Sequence, residues 1–256
     1  MQISLVTLFP EMFSAITEYG ISGRAIRSGL IELDYFNPRD FTTDKHRTVD
    51  DKPFGGGPGM VMKTEPLLSS IQAAKQALKD REPTGSVDAP KVFYLSPQGR
   101  PLSQSLIVEM AKLDNMVMVC GRYQGIDSRV VASEIDEEIS LGDFVVSGGE
   151  IAAMVLIDAM TRFQPGALGD EESAQQDSFS NGLLHSPEFT RPQSFAGQDV
   201  PEVLLSGDHE AIRKWRVKQS LGVTWLKRPD LLQAVTLDTE QAELLEQFKD
   251  EYKQCR

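Results

Sequence analysis

The chain has 256 residues, which at roughly 150 residues per domain suggests one large domain and a small one. Its 40% hydrophobic content supports a sizeable core and excludes a disordered chain, and no apolar run approaches the ~18 residues of a membrane span. The 38 acidic residues outweigh 26 basic ones for a net charge of −12, which excludes general affinity for nucleic acid, since phosphate binding rests on Lys and Arg.

Locally the balance reverses: Leu204 to Arg228 holds six basic residues against two acidic ones. Cys120 and Cys255 cannot form a disulfide framework, and His46, His185 and His209 show no paired ligand spacing, so no structural metal site is expected. The opening Met1–Ser4 lacks the basic and apolar regions of a signal peptide, and the expectation is a soluble, cytoplasmic protein without membrane partners.

Ile3–Leu8 reads as a strand ended by Phe9-Pro10, followed by a short helix carrying Met12, Phe13 and Ile16 that Gly20 stops. A second short helix at Arg24–Ser28 precedes a strand over Leu30–Phe36. The polar, glycine-rich stretch Asn37–Met60 is too long for an ordinary turn. Thr64–Lys79 has helical spacing, with Leu67, Leu68, Ile71, Ala74 and Leu78 on one face, and Arg81–Pro90 is a breaker-rich loop. Val92–Leu95 is a strand ending at Ser96-Pro97, Ser103–Leu113 a helix, and Met116–Cys120 a buried strand ending at Gly121. This alternation implies a parallel sheet, whose ligands bind off the C-terminal strand ends, so the loops Ser96–Gly99 and Gly121–Gly125 are the first place to look.

After Glu137–Val146, Ser147-Gly148-Gly149 opens a helix from about Glu150 to Arg162, ended by Pro165-Gly166. Gly169–Ser180 is small, polar and acidic, as linkers are. Beyond it the chain reads as helical, with Asp208 capping Glu210–Leu221 and a last helix at Thr239–Lys253.

Several motifs leave more than one reading. Phe54–Met60 fails as a phosphate loop, because Met62 precedes Lys63 where the motif needs glycine; its glycines admit either close ligand approach or plain flexibility. No dinucleotide fingerprint is present. Glu134–Glu138 admits a metal site or, ahead of it, a solvated acidic face. Asp158 suits a buried carboxylate or a solvent-facing one. Arg162 could complement the macrodipole of its helix, Asp177 could sit in a turn or cap, and His46 fits a surface loop. Composition and spacing stop there, without naming a reaction.

Taken together, Leu8–Phe13, Asn37–Asp40, Asp44–His46, Asp50-Asp51, Gly55–Met60, Tyr94–Gly99, Cys120–Tyr123, Ile126-Asp127, Glu134–Glu138, Ser147–Glu150, Asp177–Phe179 and Ile212–Arg216 resemble the bacterial tRNA (guanine-N1)-methyltransferases, in order and over nearly the whole chain. The resemblance implies an α/β fold: a parallel-sheet SPOUT domain at 1–168 with a deep trefoil knot, a flexible linker at 169–183, and a mostly helical tRNA-binding domain at 184–256. It implies a homodimer with active sites at the subunit interface. The implied reaction is S-adenosylmethionine-dependent methylation of N1 of the guanine immediately 3′ of the tRNA anticodon, which maintains the reading frame.

By the same resemblance, Leu95, Ser96, Pro97, Gly121, Tyr123, Leu141, Gly142, Phe144, Val146, Gly148 and Gly149 would hold S-adenosyl-L-methionine. Asp177 would be the general base and Arg162 the stabiliser of charge on the guanine O6. Arg24, His46, Asp50, Gly55, Gly59, Ser178, His209, Arg213, Lys214 and Arg216 would meet the anticodon arm. Gln124 stands where the family usually has Glu, which puts Mg2+ as a second cofactor in question; Phe144 and Ala152 depart from a common Tyr and Pro. A knotted methyltransferase acting on another RNA position, or a non-catalytic RNA-binding protein of this fold, are the competing readings.

Overall fold

A computed structural model describes residues 1–81, 89–169, 174 and 177–254. Most of the expected loop at 81–90, part of the expected linker (170–173, 175–176) and Cys255 lie outside the described residues. The chain divides into two compact units, Met1–Glu171 and Glu172–Arg256.

The first unit is built on a five-stranded sheet of β1 (Gln2–Val6), β2 (Glu32–Phe36), β5 (Lys91–Pro101), β6 (Asn115–Val119) and β7 (Glu137–Ser140). Its order is β2-β1-β6-β5-β7 and every neighbouring pair is parallel. A parallel sheet needs cover on both faces, and the period-2 alternation of its strands supplies two apolar faces. On one face Ile3, Leu5, Phe93, Leu95, Met116 and Met118 pack with helix α4 (Gln104–Met110) and helix α6 (Gly149–Thr161). On the other, Val6, Val92, Tyr94, Val117 and Val119 meet helix α3 (Thr64–Arg81), which presents Leu67, Ile71, Ala74 and Leu78, and Val130 of helix α5 (Ser128–Glu134). Each such side chain contributes about 1.5–3 kcal/mol of burial. Leu68, expected on the buried face of α3, is only half-buried.

Between β1 and β2 lie two short helices, α1 (Ser14–Thr17) and α2 (Gly20–Arg27). Gly20 therefore opens a helix rather than stopping one: its φ of +67° lets the chain turn after α1 has ended three residues earlier. Strand β5 also runs past its expected end at Ser96-Pro97. Leu95 and Arg100 both register with Ile139, so Ser96–Gly99 bulges from the ladder while the strand resumes to Pro101. The glycine-rich segment is flanked by a two-stranded ribbon, β3 (Asp50–Asp51) and β4 (Val61–Met62).

In the second unit, β8 (Ser194–Phe195) and β9 (Gln198–Asp199) form a hairpin. Helices α7 (Glu202–Leu205), α8 (His209–Lys227), α9 (Pro229–Ala234) and α10 (Thr239–Gln254) follow. Asp208 caps α8 as expected, accepting from the amides of Glu210 and Ala211, but the helix continues to Lys227 because Leu221 and Thr224 bury against the unit's core. That core is Leu183, Leu221, Leu244 and Leu245. Residues 177–183 of the expected linker form a turn, with the Phe179 amide donating to the Leu183 carbonyl at 2.7 Å.

Candidate functional site

The loops that leave β5, β6 and β7 converge on one cavity of about 710 Å³ in the first unit. Its wall includes every residue expected to hold the cofactor, from Leu95, Ser96 and Pro97 through Gly121 and Tyr123 to Leu141, Gly142, Phe144, Val146, Gly148 and Gly149. The floor is Tyr94, buried under the β6 loop, whose ring would lie 2.8 Å from any Cβ added at Gly121. Burial, and then the Glu138 carboxylate, raise the Tyr94 phenol above its ordinary pKa, so it stays a neutral hydrogen-bonding group. Phe144, Val145 and Val146 expose apolar surface at the rim. The volume and this mix of apolar walls with open backbone groups fit a nucleoside-sized ligand.

Two loops of the cavity are tied together from behind. The Gly149 amide donates to the Gly121 carbonyl at 2.9 Å, and a Cβ at Gly149 would meet Cys120 Cα at 2.7 Å, so only glycine allows that approach. Arg122 Nε donates to Glu150 Oε2 at 2.8 Å, the second Glu150 oxygen accepts from Thr7 Oγ1 at 2.9 Å, and the guanidinium lies 4.5 Å over the Phe9 ring. Glu150 is fully buried. Neither Arg122 nor Glu150 was expected at the site. A charged pair flanking each glycine loop was the available signal. Cys120 is buried, and that burial pushes its thiol up, which leaves it inert.

The glycine-rich segment meets the same loops. The Gln124 side chain donates to the Pro58 carbonyl, its amide donates to Met60, and the Met62 amide donates to Gly125 at 3.1 Å. Gly59, with φ +92°, has the Gln124 side chain where a Cβ would go. Gln124 thus uses an N–H donor that a glutamate would lack. Tyr123 has a left-handed φ of +61°, uncommon for a bulky residue, and its hydroxyl faces Asp50 and Arg39. Asp50, and through it the segment expected to meet tRNA, therefore touches a residue that lines the 710 Å³ cavity. Gly55 lies in an open turn of that segment, and His46 is exposed, its amide donating to Asp44 Oδ2. Arg24 on α2 donates to the Ala167 carbonyl. Asp158 is exposed and accepts from Ser22 Oγ at 2.5 Å.

Arg162 caps the C-terminus of α6 and is half-buried, outside the lining of the 710 Å³ cavity. Asp177 belongs to the second unit, where it lines a separate cavity of about 410 Å³ with His209, Arg213 and Arg216. Four expected site residues thus gather from two segments of that unit. Ser178 Oγ accepts from the His185 amide at 2.9 Å.

The basic stripe is less free than its local count suggests. Arg213 is held by Glu210 and, across from α10, by Glu240, each at 2.8 Å; Lys214 lies within 4 Å of both carboxylates, and Lys218 binds Glu251. Arg213 lowers the Glu210 carboxyl to about 2. Among the described residues, no three His, Cys, Asp or Glu side chains are grouped to hold a metal ion, and no helix is long and apolar enough to cross a membrane.

Comparison with known proteins agrees with the motifs. Residues 1–234 match the family described as tRNA (Guanine-1)-methyltransferase TrmD. Proteins named tRNA (guanine-N(1)-)-methyltransferase are similar end to end: that of Shewanella woodyi is 55% identical over 255 residues, covering 100% of both chains. Those of Cronobacter sakazakii and a Marinomonas species are 56% and 57% identical, covering 99% and 97% of this chain and 96% of each relative. A match of this length and identity, across both units, places the chain in the tRNA (guanine-N1)-methyltransferase family.

Proposed function

We propose that this protein methylates N1 of the guanine immediately 3′ of the tRNA anticodon, using S-adenosylmethionine, as a cytoplasmic enzyme that maintains the reading frame. One observation carries this reading: in a chain of this family, every residue expected to hold the cofactor lines a single cavity at the C-terminal ends of three parallel strands.

The chemistry assigns roles to two further residues. Guanine N1 carries a proton and is a poor nucleophile. The Asp177 carboxylate takes that proton, and the electron pair left at N1 forms the new bond to carbon. The Arg162 guanidinium stabilises the negative charge that develops on O6 as the proton leaves; one such donor is worth about 3–4 kcal/mol in comparable oxyanion sites. When bound, S-adenosylmethionine supplies the methyl group, its sulfur keeping the electron pair of the broken C–S bond. Leu95–Pro97, Gly121, Leu141, Gly142, Gly148 and Gly149 would hold it, and Phe144 and Val146 would cover its apolar surface. Gln124 is committed to Pro58, and no residue is assigned to Mg2+.

A homodimer whose active sites draw on both chains is proposed on the family motifs. Ile151 and Val155, apolar yet exposed on α6, support such an interface. The deep trefoil knot of the first unit is proposed on the family motifs. Arg24, His46, Asp50, Gly55, Gly59, Ser178, His209, Arg213, Lys214 and Arg216 are assigned to the anticodon arm.

The test is methyl transfer to an unmodified tRNA transcript with two guanines at the 3′ boundary of the anticodon, beside one whose second guanine is adenine. Product on the first alone, mapped to N1, is expected. Equal transfer to both, or none to either, overturns the reading.

A further inference from the structure

In the second unit, Arg213 and Arg228 are each held by a carboxylate, at 2.8 Å and 2.6 Å. Arg191 and Arg216 take part in no ion pair among the described residues, and both line one cavity of about 630 Å³. The same cavity is lined by Phe189 and Trp215, whose ring centroids stand 6.1 Å apart at 58°. Phe189 is 45% exposed, which is unusual for so large an apolar side chain, and it precedes Arg191 by two residues, while Trp215 immediately precedes Arg216 on α8.

We infer that this cleft binds an unpaired nucleotide of the RNA substrate, its base stacked on Phe189 and its phosphate held by Arg191 and Arg216. The inference deepens the proposed function, on which it rests. Aromatic faces beside uncommitted guanidinium groups are the combination that single-stranded RNA requires: the ring accepts any base, and the arginines neutralise the backbone. The two rings touch each other, so a base cannot enter between them, which would need a gap of about 7 Å. It stacks on the outer face of Phe189. The lone acidic group in the lining, Glu188, has its carboxylate 2.7 Å from His185 Nε2 and so is turned to a partner of its own.

The experiment measures equilibrium binding of an unmodified tRNA transcript to the full chain, wild type against Phe189→Ala, Phe189→Leu, Phe189→Trp, Arg191→Ala and Arg216→Ala, at several salt concentrations. Loss of stacking in Phe189→Ala and Phe189→Leu weakens binding ~10-fold, while Phe189→Trp restores it. Leucine would rescue a residue that merely filled space. Each arginine variant lowers the salt slope by about one. Calorimetric affinity for S-adenosylmethionine stays within twofold of wild type, and thermal melting verifies folding. Binding within twofold of wild type in folded Phe189→Leu and Arg216→Ala, or rescue by leucine, overturns the inference. Wild-type failure to methylate guanine N1 would instead overturn the proposed function, and the binding comparison separates the two.

Discussion

Arg122 and Glu150 form a charged pair behind the 710 Å³ cavity, with Nε 2.8 Å from Oε2, Glu150 fully buried and the Arg122 side chain 15% exposed. It joins the loop after β6 to the first turn of α6, and through Thr7 it reaches the end of β1. Removing one partner leaves the other charge without compensation. Glu150→Ala is expected to lower unfolding free energy by ~3–5 kcal/mol and weaken cofactor binding. Glu150→Gln, which can still bond Thr7, should lose less. Urea denaturation and calorimetric titration check both, and equal stability of the alanine variant would show that the pair is not structural.

Asp177 and Arg162 act on the reacting guanine in the proposed mechanism, and neither lines the cofactor cavity. Asp177→Ala is expected to reduce kcat by ~10²–10⁴ and Arg162→Ala by ~10²–10³. Affinity for S-adenosylmethionine should be unchanged in both. Single-turnover methylation with saturating tRNA is the measurement; wild-type turnover in Asp177→Ala would sink its assignment as base.

Glu240 accepts from Arg213, which the proposed function assigns to the anticodon arm, so on that proposal carboxylate and phosphate compete for one guanidinium. Glu240→Gln should therefore tighten tRNA binding at low salt and steepen the salt dependence by up to about one ion. Anisotropy titrations between two salt concentrations would reveal it, and an unaltered slope would mean that Arg213 does not reach RNA.

The Glu210 and Asp127 carboxyls are each held down to about 2, the first by hydrogen bonds from Arg213 and the second by those from Arg129. A depressed folded pKa stabilises the native state above the unfolded value, near ~4, and that contribution disappears as pH falls through about 2. Acid denaturation curves of Glu210→Gln and Asp127→Asn should accordingly be flatter than wild type between those limits. Both groups are exposed, so added salt should shrink the difference.

How far the sequence could be read depended on whether a feature was local. Short, largely apolar runs ended by Phe9-Pro10 and by Gly121 marked β1 and β6, because a strand covered on both faces needs apolar side chains at nearly every position. The capping of α8 by Asp208 was legible because it too is local. The extension of β5 past Pro97 was not, since it depends on Gly99 lying against the Glu138–Ile139 backbone some forty residues away. The pairing of the basic stripe was hidden for the same reason: Glu240 and Glu251 reach Arg213, Lys214 and Lys218 from another helix, while Arg216 has no such partner among the described residues. Cofactor residues were named through family motifs, whereas the hidden Arg122–Glu150 support and the Phe189–Trp215 cleft needed coordinates.

The bulge at Ser96–Gly99 bears on how the cavity opens. Because Leu95 and Arg100 are both registered against Ile139, the two ends of this loop are neighbouring rungs of one ladder and possess no independent hinge. The ends of the segment can part only if β5 separates from the edge strand β7. Amide hydrogens flanking the loop should hence exchange no faster than the β5–β7 ladder opens. Of the three loops that wall the cavity, the Ser96–Gly99 loop is thus the one pinned at both ends by a single residue of the neighbouring strand.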